Sequence, residues 1–176
     1  MNEIQSKIAR VILQFFLHPW TSKDFLTEDD VRCRLFLELK NALDANENIS
    51  VHSEVRWYGK DPVKKLKYRS DLVVIDNANL TVEGDMLPSK GYVFDGYHSI
   101  IEIKLRRINN KQSDKAYEDV VEEDAEKLRE IRANTNRGNY GSISYYVLTF
   151  DKKSKRKSLI GDVDFSKNVE WQQWDC

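Results

Sequence analysis

Cysteine is scarce in this chain: Cys33 and Cys176 are the only two, and most of the sequence lies between them. They give no disulfide framework and point to a reducing compartment, with the cytoplasm as the default. Histidine is nearly as rare, and His18, His52 and His98 stand apart from one another and from both cysteines, so no zinc-ligand spacing is present. Long apolar runs are missing. The longest, such as residues 11–17 and 72–75, fall far short of the roughly 20 residues that cross a bilayer. No small-residue cleavage site follows Leu17, where the chain reads His18-Pro19-Trp20, so no signal peptide is expected. Three prolines and seven glycines are scattered rather than gathered into a linker. There is no repeat, P-loop, G-x-G-x-x-G or G-x-S-x-G. These absences argue against a membrane span, a disulfide-stapled secreted domain, a zinc module and the commonest nucleotide-binding and serine-hydrolase sites.

What remains fits one domain spanning residues 1–176. Apolar residues make up 40%, enough for a core, while 32% charged residues and a mean hydropathy of -0.63 favour solubility. The net charge of -1 names no partner, but its distribution is uneven. Residues 55–69 carry six basic side chains (Arg56, Lys60, Lys64, Lys65, Lys67, Arg69) against Asp61 alone. A second basic cluster comprises Lys152, Lys153, Lys155, Arg156 and Lys157. Residues 114–130 reverse the balance, with eight acids against three bases. Segregated charge of this kind offers a basic face to phosphates, or else marks solvated loops and a solvated helix face.

Residues 2–17 have helical composition. Thr27 reads as an N-cap with Asp30 three residues on. Behind it Val31, Leu35, Leu39, Ala42 and Leu43 recur at helical spacing and predict a helix over Glu28–Leu43. Alternation over Ile49–Tyr58 predicts a strand. The basic segment then reads as a loop or hairpin, residues 71–75 as a central strand apolar on both faces, and residues 77–91 as a small excursion. A strand over 97–105, a helix over 117–132, a loop over 134–141 and a strand over 143–150 follow, then a tail containing Trp171 and Trp174. The pattern predicts an α/β fold, a central mixed sheet of four to five strands flanked by helices.

Chemistry concentrates on two of these strands. Asp71 opens one, and Glu102 and Lys104 lie on the next within Ile-Ile-Glu-Ile-Lys-Leu. Residues i and i+2 of a strand share a face, about 7 Å apart. A carboxylate and an ammonium inside such an apolar run are costly unless partnered. Asp71 supplies one partner, and a divalent cation between the two carboxylates would supply the rest.

Arg69-Ser70-Asp71 with Leu-Val-Val-Ile, and Ile100-Ile101-Glu102-Ile103-Lys104, with thirty residues between Asp71 and Glu102, together resemble the PD-(D/E)xK nuclease superfamily. The expected order of helix, three strands, helix and strand matches its restriction-endonuclease-like core over residues 28–150, with residues 2–17 and 151–176 as additions. The leading proline of the motif is replaced by Ser70. The resemblance implies catalysis by Asp71, Glu102 and Lys104, and Mg²⁺ or Mn²⁺ held by Asp71, Glu102 and the carbonyl of Ile103. It further implies Lys104 beside the attacking water, a nucleic-acid substrate (DNA rather than RNA), and recognition by the chain's own loops or a protein partner. The alternatives are an inactive nuclease fold used for binding or assembly, and a protein-interaction domain for an acidic partner.

Two helical acids extend this expectation. Glu28 falls within the apolar arc of its helix and so points toward the sheet, as an extra metal-site acid or as a favourable charge at the helix N-terminus. Asp124 falls within the stripe of Val120, Leu128 and Ile131, where it needs a basic partner from the site or Lys127. Glu54 is expected to pair with Arg56 rather than to assist the metal, and Glu38 to be solvated.

Overall fold

The computed structural model describes residues 2–21, 23–58, 66–79, 97–135, 143–161 and 170–174. Two helices come first, α1 (Glu3–Leu17) and α2 (Glu28–Leu43). Both start on capping boxes, Asn2 with Gln5 and Thr27 with Asp30, which satisfy the orphan N–H groups of the first turn. There follow β1 (Ile49–Tyr58), β2 (Leu66–Asp76), β3 (Tyr97–Arg106), α3 (Asp114–Thr135), β4 (Ser144–Asp151), β5 (Arg156–Ile160) and the short β6 (Gln172–Gln173).

Among the described residues, six strands form one sheet in the order β1-β2-β3-β4-β5-β6. Only β3 and β4 run parallel, and a parallel neighbour needs a crossover, which α3 provides. The sheet is mixed and flanked by helices, as expected, with α2-β1-β2-β3-α3-β4 in the expected core order. It has six strands rather than four to five. The tail expected after residue 151 instead turns back as β5 along β4, and β6 adds at Arg156↔Gln173 and Lys157↔Gln172. The basic segment, expected as a loop or hairpin, takes the hairpin form in its described part, where β1 and β2 run antiparallel. Residues 66–70 extend β2 along β1 through Val55↔Ser70 and Arg56↔Arg69. Lys60, Lys64 and Lys65 lie outside the described residues, as does the side chain of Lys67.

One sheet face carries α1 and α2, whose Ile8, Ile12, Phe15, Leu35 and Leu39 cluster with Leu72, Val74, Ile101, Ile103 and Phe150. The other carries α3, whose Tyr117, Val121, Ala125, Leu128 and Ile131 meet Val73, Ile75, Ile100, Tyr145 and Val147. Alternate residues of β2, β3 and β4 thus feed opposite cores, which explains their near-continuous apolarity. Among the described residues no helix is long and apolar enough to cross a membrane.

Candidate active site

The β2–β3 ladder stops early. Its last pair is Leu72↔Ile101, whereas β3 continues beside β4 as far as Arg106↔Asp151. The edge of β3 beyond Ile101 therefore has no strand neighbour, and its N–H groups need other acceptors. Two carboxylates supply them: Ile103 N–H donates to Asp71 Oδ2 at 2.8 Å, and Leu105 N–H to Glu28 Oε2 at 3.2 Å. In an extended strand one residue's N–H and C=O face the same edge, so the carbonyl of Ile103 opens toward Asp71.

Glu102 and Lys104 project from β3 toward α3. Glu102 is 2% exposed; its Oε2 meets Lys127 Nζ at 2.8 Å, while Oε1 is buried without a hydrogen-bond partner. Burial pushes the Glu102 carboxyl up to about 8 against the opposing charge of Lys127, with Asp71 and Asp124 adding to the rise. Lys104 Nζ pairs with Asp124 Oδ2 at 3.0 Å. Burial alone would lower the Lys104 pKa, but Asp124, Glu28 and Asp71 together hold it above the usual lysine value, so it is an ammonium at neutral pH. Glu28 is raised, first by burial and partly offset by Lys104.

The structure thus brings Glu28, Asp71, Glu102 and Lys104 to one opened strand edge. It also places Asp124 between Lys104 and Lys127, the latter at 3.4 Å, so both partners expected for that acid are present. Lys127 Nζ additionally donates to the carbonyl of Arg69 at 3.1 Å, tying α3 to β2. Glu54 pairs with Arg32 and Arg69, while the side chain of Arg56, its expected partner, lies outside the described residues. The φ of Glu54, 58°, lies in the left-handed region. Glu54 stands in register with Asp71, where the β1–β2 ladder skips a pair. Glu38 is exposed and touches Arg34 at 3.5 Å.

Arg32 is a site residue that the sequence pattern does not single out. Its Nη1 reaches Asp71 Oδ1 at 3.5 Å and also meets Glu54, and its Nη2 pairs with Asp29. The one signal for it is its position four residues after Glu28 on the same helix face.

No three His, Cys, Asp or Glu side chains converge as a metal cluster among the described residues. The donors that fit a divalent cation are two carboxylates and a backbone carbonyl, with Glu102 Oε1 as the buried oxygen lacking a partner. Such an all-oxygen, partly hydrated set suits Mg²⁺.

No protein-family model and no curated protein matches the sequence. Among solved structures, the chain is similar to a candidate nuclease belonging to DUF820 from Anabaena variabilis, at 10% identity and a TM-score of 0.42, over 88% of this chain and 69% of that one. It is also similar to the cAAA-bound forms of NucC from Pseudomonas aeruginosa (11% identity, TM-score 0.43, 84% of this chain) and Escherichia coli (12%, 0.44, 86%). The match spans 62% and 64% of those two NucC chains, less than two thirds of either.

Proposed function

We propose that this chain is a metal-dependent nuclease that hydrolyses phosphodiester bonds, with DNA as the preferred substrate and the cytoplasm as its location. The observation that carries the reading is the buried, unpartnered Oε1 of Glu102 beside Asp71 on an opened strand edge. A buried carboxylate oxygen with no donor is costly and gains most from a cation.

Asp71, Glu102 and the Ile103 carbonyl would hold Mg²⁺ or Mn²⁺, which when bound lowers the pKa of a ligated water and offsets phosphate charge. Lys104, kept protonated by Asp124, donates a hydrogen bond to the attacking water and to the phosphate oxygen that gains charge. Glu28 positions the opened edge of β3 through Leu105 N–H and adds negative charge on the side of Asp71. Sequence preference comes from the chain's loops or from a protein partner.

A second reading is favoured by one feature. Each main carboxylate already touches an internal cation, Asp71 with Arg32 and Glu102 with Lys127. The fold would then serve as a binding or assembly module without metal.

The deciding experiment incubates the protein with supercoiled plasmid, linear duplex and single strands in Mg²⁺, Mn²⁺ or EDTA. Cleavage is expected only with metal. Asp71→Asn, Glu102→Gln and Lys104→Ala should each lower the rate at least roughly a hundredfold while staying folded, and Glu28→Gln should cut more slowly and need more Mg²⁺. A triple variant that cleaves like wild type would overturn the assignment. Failure of either metal to raise the melting temperature would favour the binding module.

A further inference from the structure

A cavity of about 400 Å³ opens beside Glu28, lined also by Leu105, Arg107, Asn109 and Asn110. The strand carrying Glu102 and Lys104 runs directly into this wall, since residues 107–113 link β3 to α3. Leu105 is the only apolar residue among the five, which rules against an apolar anchor. The volume lies near the lower end of small-ligand cavities, roughly 300–1,000 Å³, and suits one nucleotide rather than a turn of duplex.

Arg107 sets the charge of the occupant. Arg32, Arg69 and Arg106 are each taken by carboxylates, whereas exposed Arg107 has no carboxylate partner among the described residues. Lys111 is exposed on the same loop, and exposed Lys153 is held against it by donating to the Gln112 carbonyl at 2.8 Å. Neither has a carboxylate among the described residues. Asn110 Oδ1 accepts from Gln112 N–H at 2.8 Å, which fixes the amide and leaves its NH₂ as a donor. Between Arg107 and Asn109, Ile108 is 64% exposed and offers an apolar edge to a base. A guanidinium, the fixed amide of Asn110 and an apolar edge match the phosphate, base edge and base face of a nucleotide.

We propose that this cavity is a nucleotide subsite, in which Arg107 binds a phosphate and the amides of Asn109 and Asn110 meet a base edge. Its occupant is a nucleotide of the strand whose scissile phosphate lies at Glu102 and Lys104, an identification that rests on the nuclease reading above.

The test measures binding of a single-stranded oligodeoxynucleotide to the full chain in EDTA, with cleavage in Mg²⁺ followed in parallel. Arg107→Gln should weaken binding about tenfold and flatten the slope of log K against log salt by roughly 0.7, the value for one phosphate on a single strand. Asn109→Ala with Asn110→Ala should weaken binding several-fold, about as much as mispairing one base edge, and leave the slope unchanged. In cleavage, Arg107→Gln should raise KM and keep kcat. Lys7→Gln, an exposed lysine on α1, is the control. If Arg107→Gln matched that control in affinity and slope, the subsite would be overturned, while normal metal-dependent cleavage would leave the nuclease reading intact. If binding fell as expected but no strand were cut in Mg²⁺ or Mn²⁺, the subsite would stand and the nuclease reading would fail.

Discussion

Glu102 illustrates how one residue can be legible in sequence while its state is not. Its place in an apolar strand marks it as costly, but the direction of its titration depends on Lys127, Asp71 and Asp124, which come from three other positions in the fold. Burial raises its folded pKa to about 8, above the ordinary 4.5. The stability linked to a raised carboxyl is complete below the unfolded value and disappears as pH rises through the folded one. Metal-free protein should therefore become less stable from roughly pH 5 to 9, with a contribution of up to about 1.4 kcal/mol per pH unit. Glu102→Gln should remove that component. Thermal melts in EDTA across the range check this, and parallel wild-type and variant curves would show that Lys127 outweighs burial.

At the scale of elements, the end of β3 is pinned by a second buried charge group. Arg106 is 0% exposed and donates to both oxygens of Asp151, at 2.7 and 2.5 Å, and its Nη2 also reaches Asp114 at the start of α3. Burial pushes the Asp151 carboxyl up, but hydrogen bonds from Arg106, Arg156 and Ser154 N–H outweigh it and hold the net value below the usual range. One guanidinium thereby joins β3, β4 and the first turn of α3, the helix that carries Asp124 and Lys127. Asp151→Asn leaves Arg106 buried with a weaker partner and should cost about 3–5 kcal/mol, read as a fall in the urea midpoint. A change within the range of an exposed substitution would mean that Asp114 and Ser154 suffice.

Across the whole molecule, the basic cluster of residues 152–157 does not make one phosphate-binding face. Lys152 is buried and donates to the Phe25 carbonyl; Lys157 is buried, donates to the Phe16 carbonyl and lies 4.8 Å from the Phe16 ring centroid. Arg156 is taken by Asp151 and Glu118 and stacks on Trp171. Only Lys153 and Lys155 of that cluster are exposed. Lys152→Met and Lys157→Met should thus alter stability and leave the salt dependence of DNA binding alone. Lys153→Gln with Lys155→Gln should do the reverse, flattening the slope by up to roughly 0.9 for each duplex phosphate no longer neutralised. Equal effects of both pairs on the slope would restore the cluster as a binding face.

The sequence by itself determined the features that depend on neighbours along the chain. Thr27 with Asp30 starts α2 as expected, because a capping box is local hydrogen bonding. The apolar stripe of α2 and the two-faced apolarity of residues 71–75 and 100–103 assign a helix and two sheet strands, because burial is written in their periods. Asp71, Glu102, Lys104 and Glu28 are identifiable for the same reason, as polar groups where the period demands apolar ones. Only the tertiary structure decided where the β2–β3 ladder opens, and hence that Asp71 and Glu28 cap strand N–H groups. It alone decided that Arg32 and Lys127 reach the carboxylates, that Lys152 and Lys157 turn inward, and that residues 156–160 and 172–173 extend the sheet. Those outcomes depend on residues far apart in sequence meeting across the three layers, and no local period encodes which charge a fold will bury or pair.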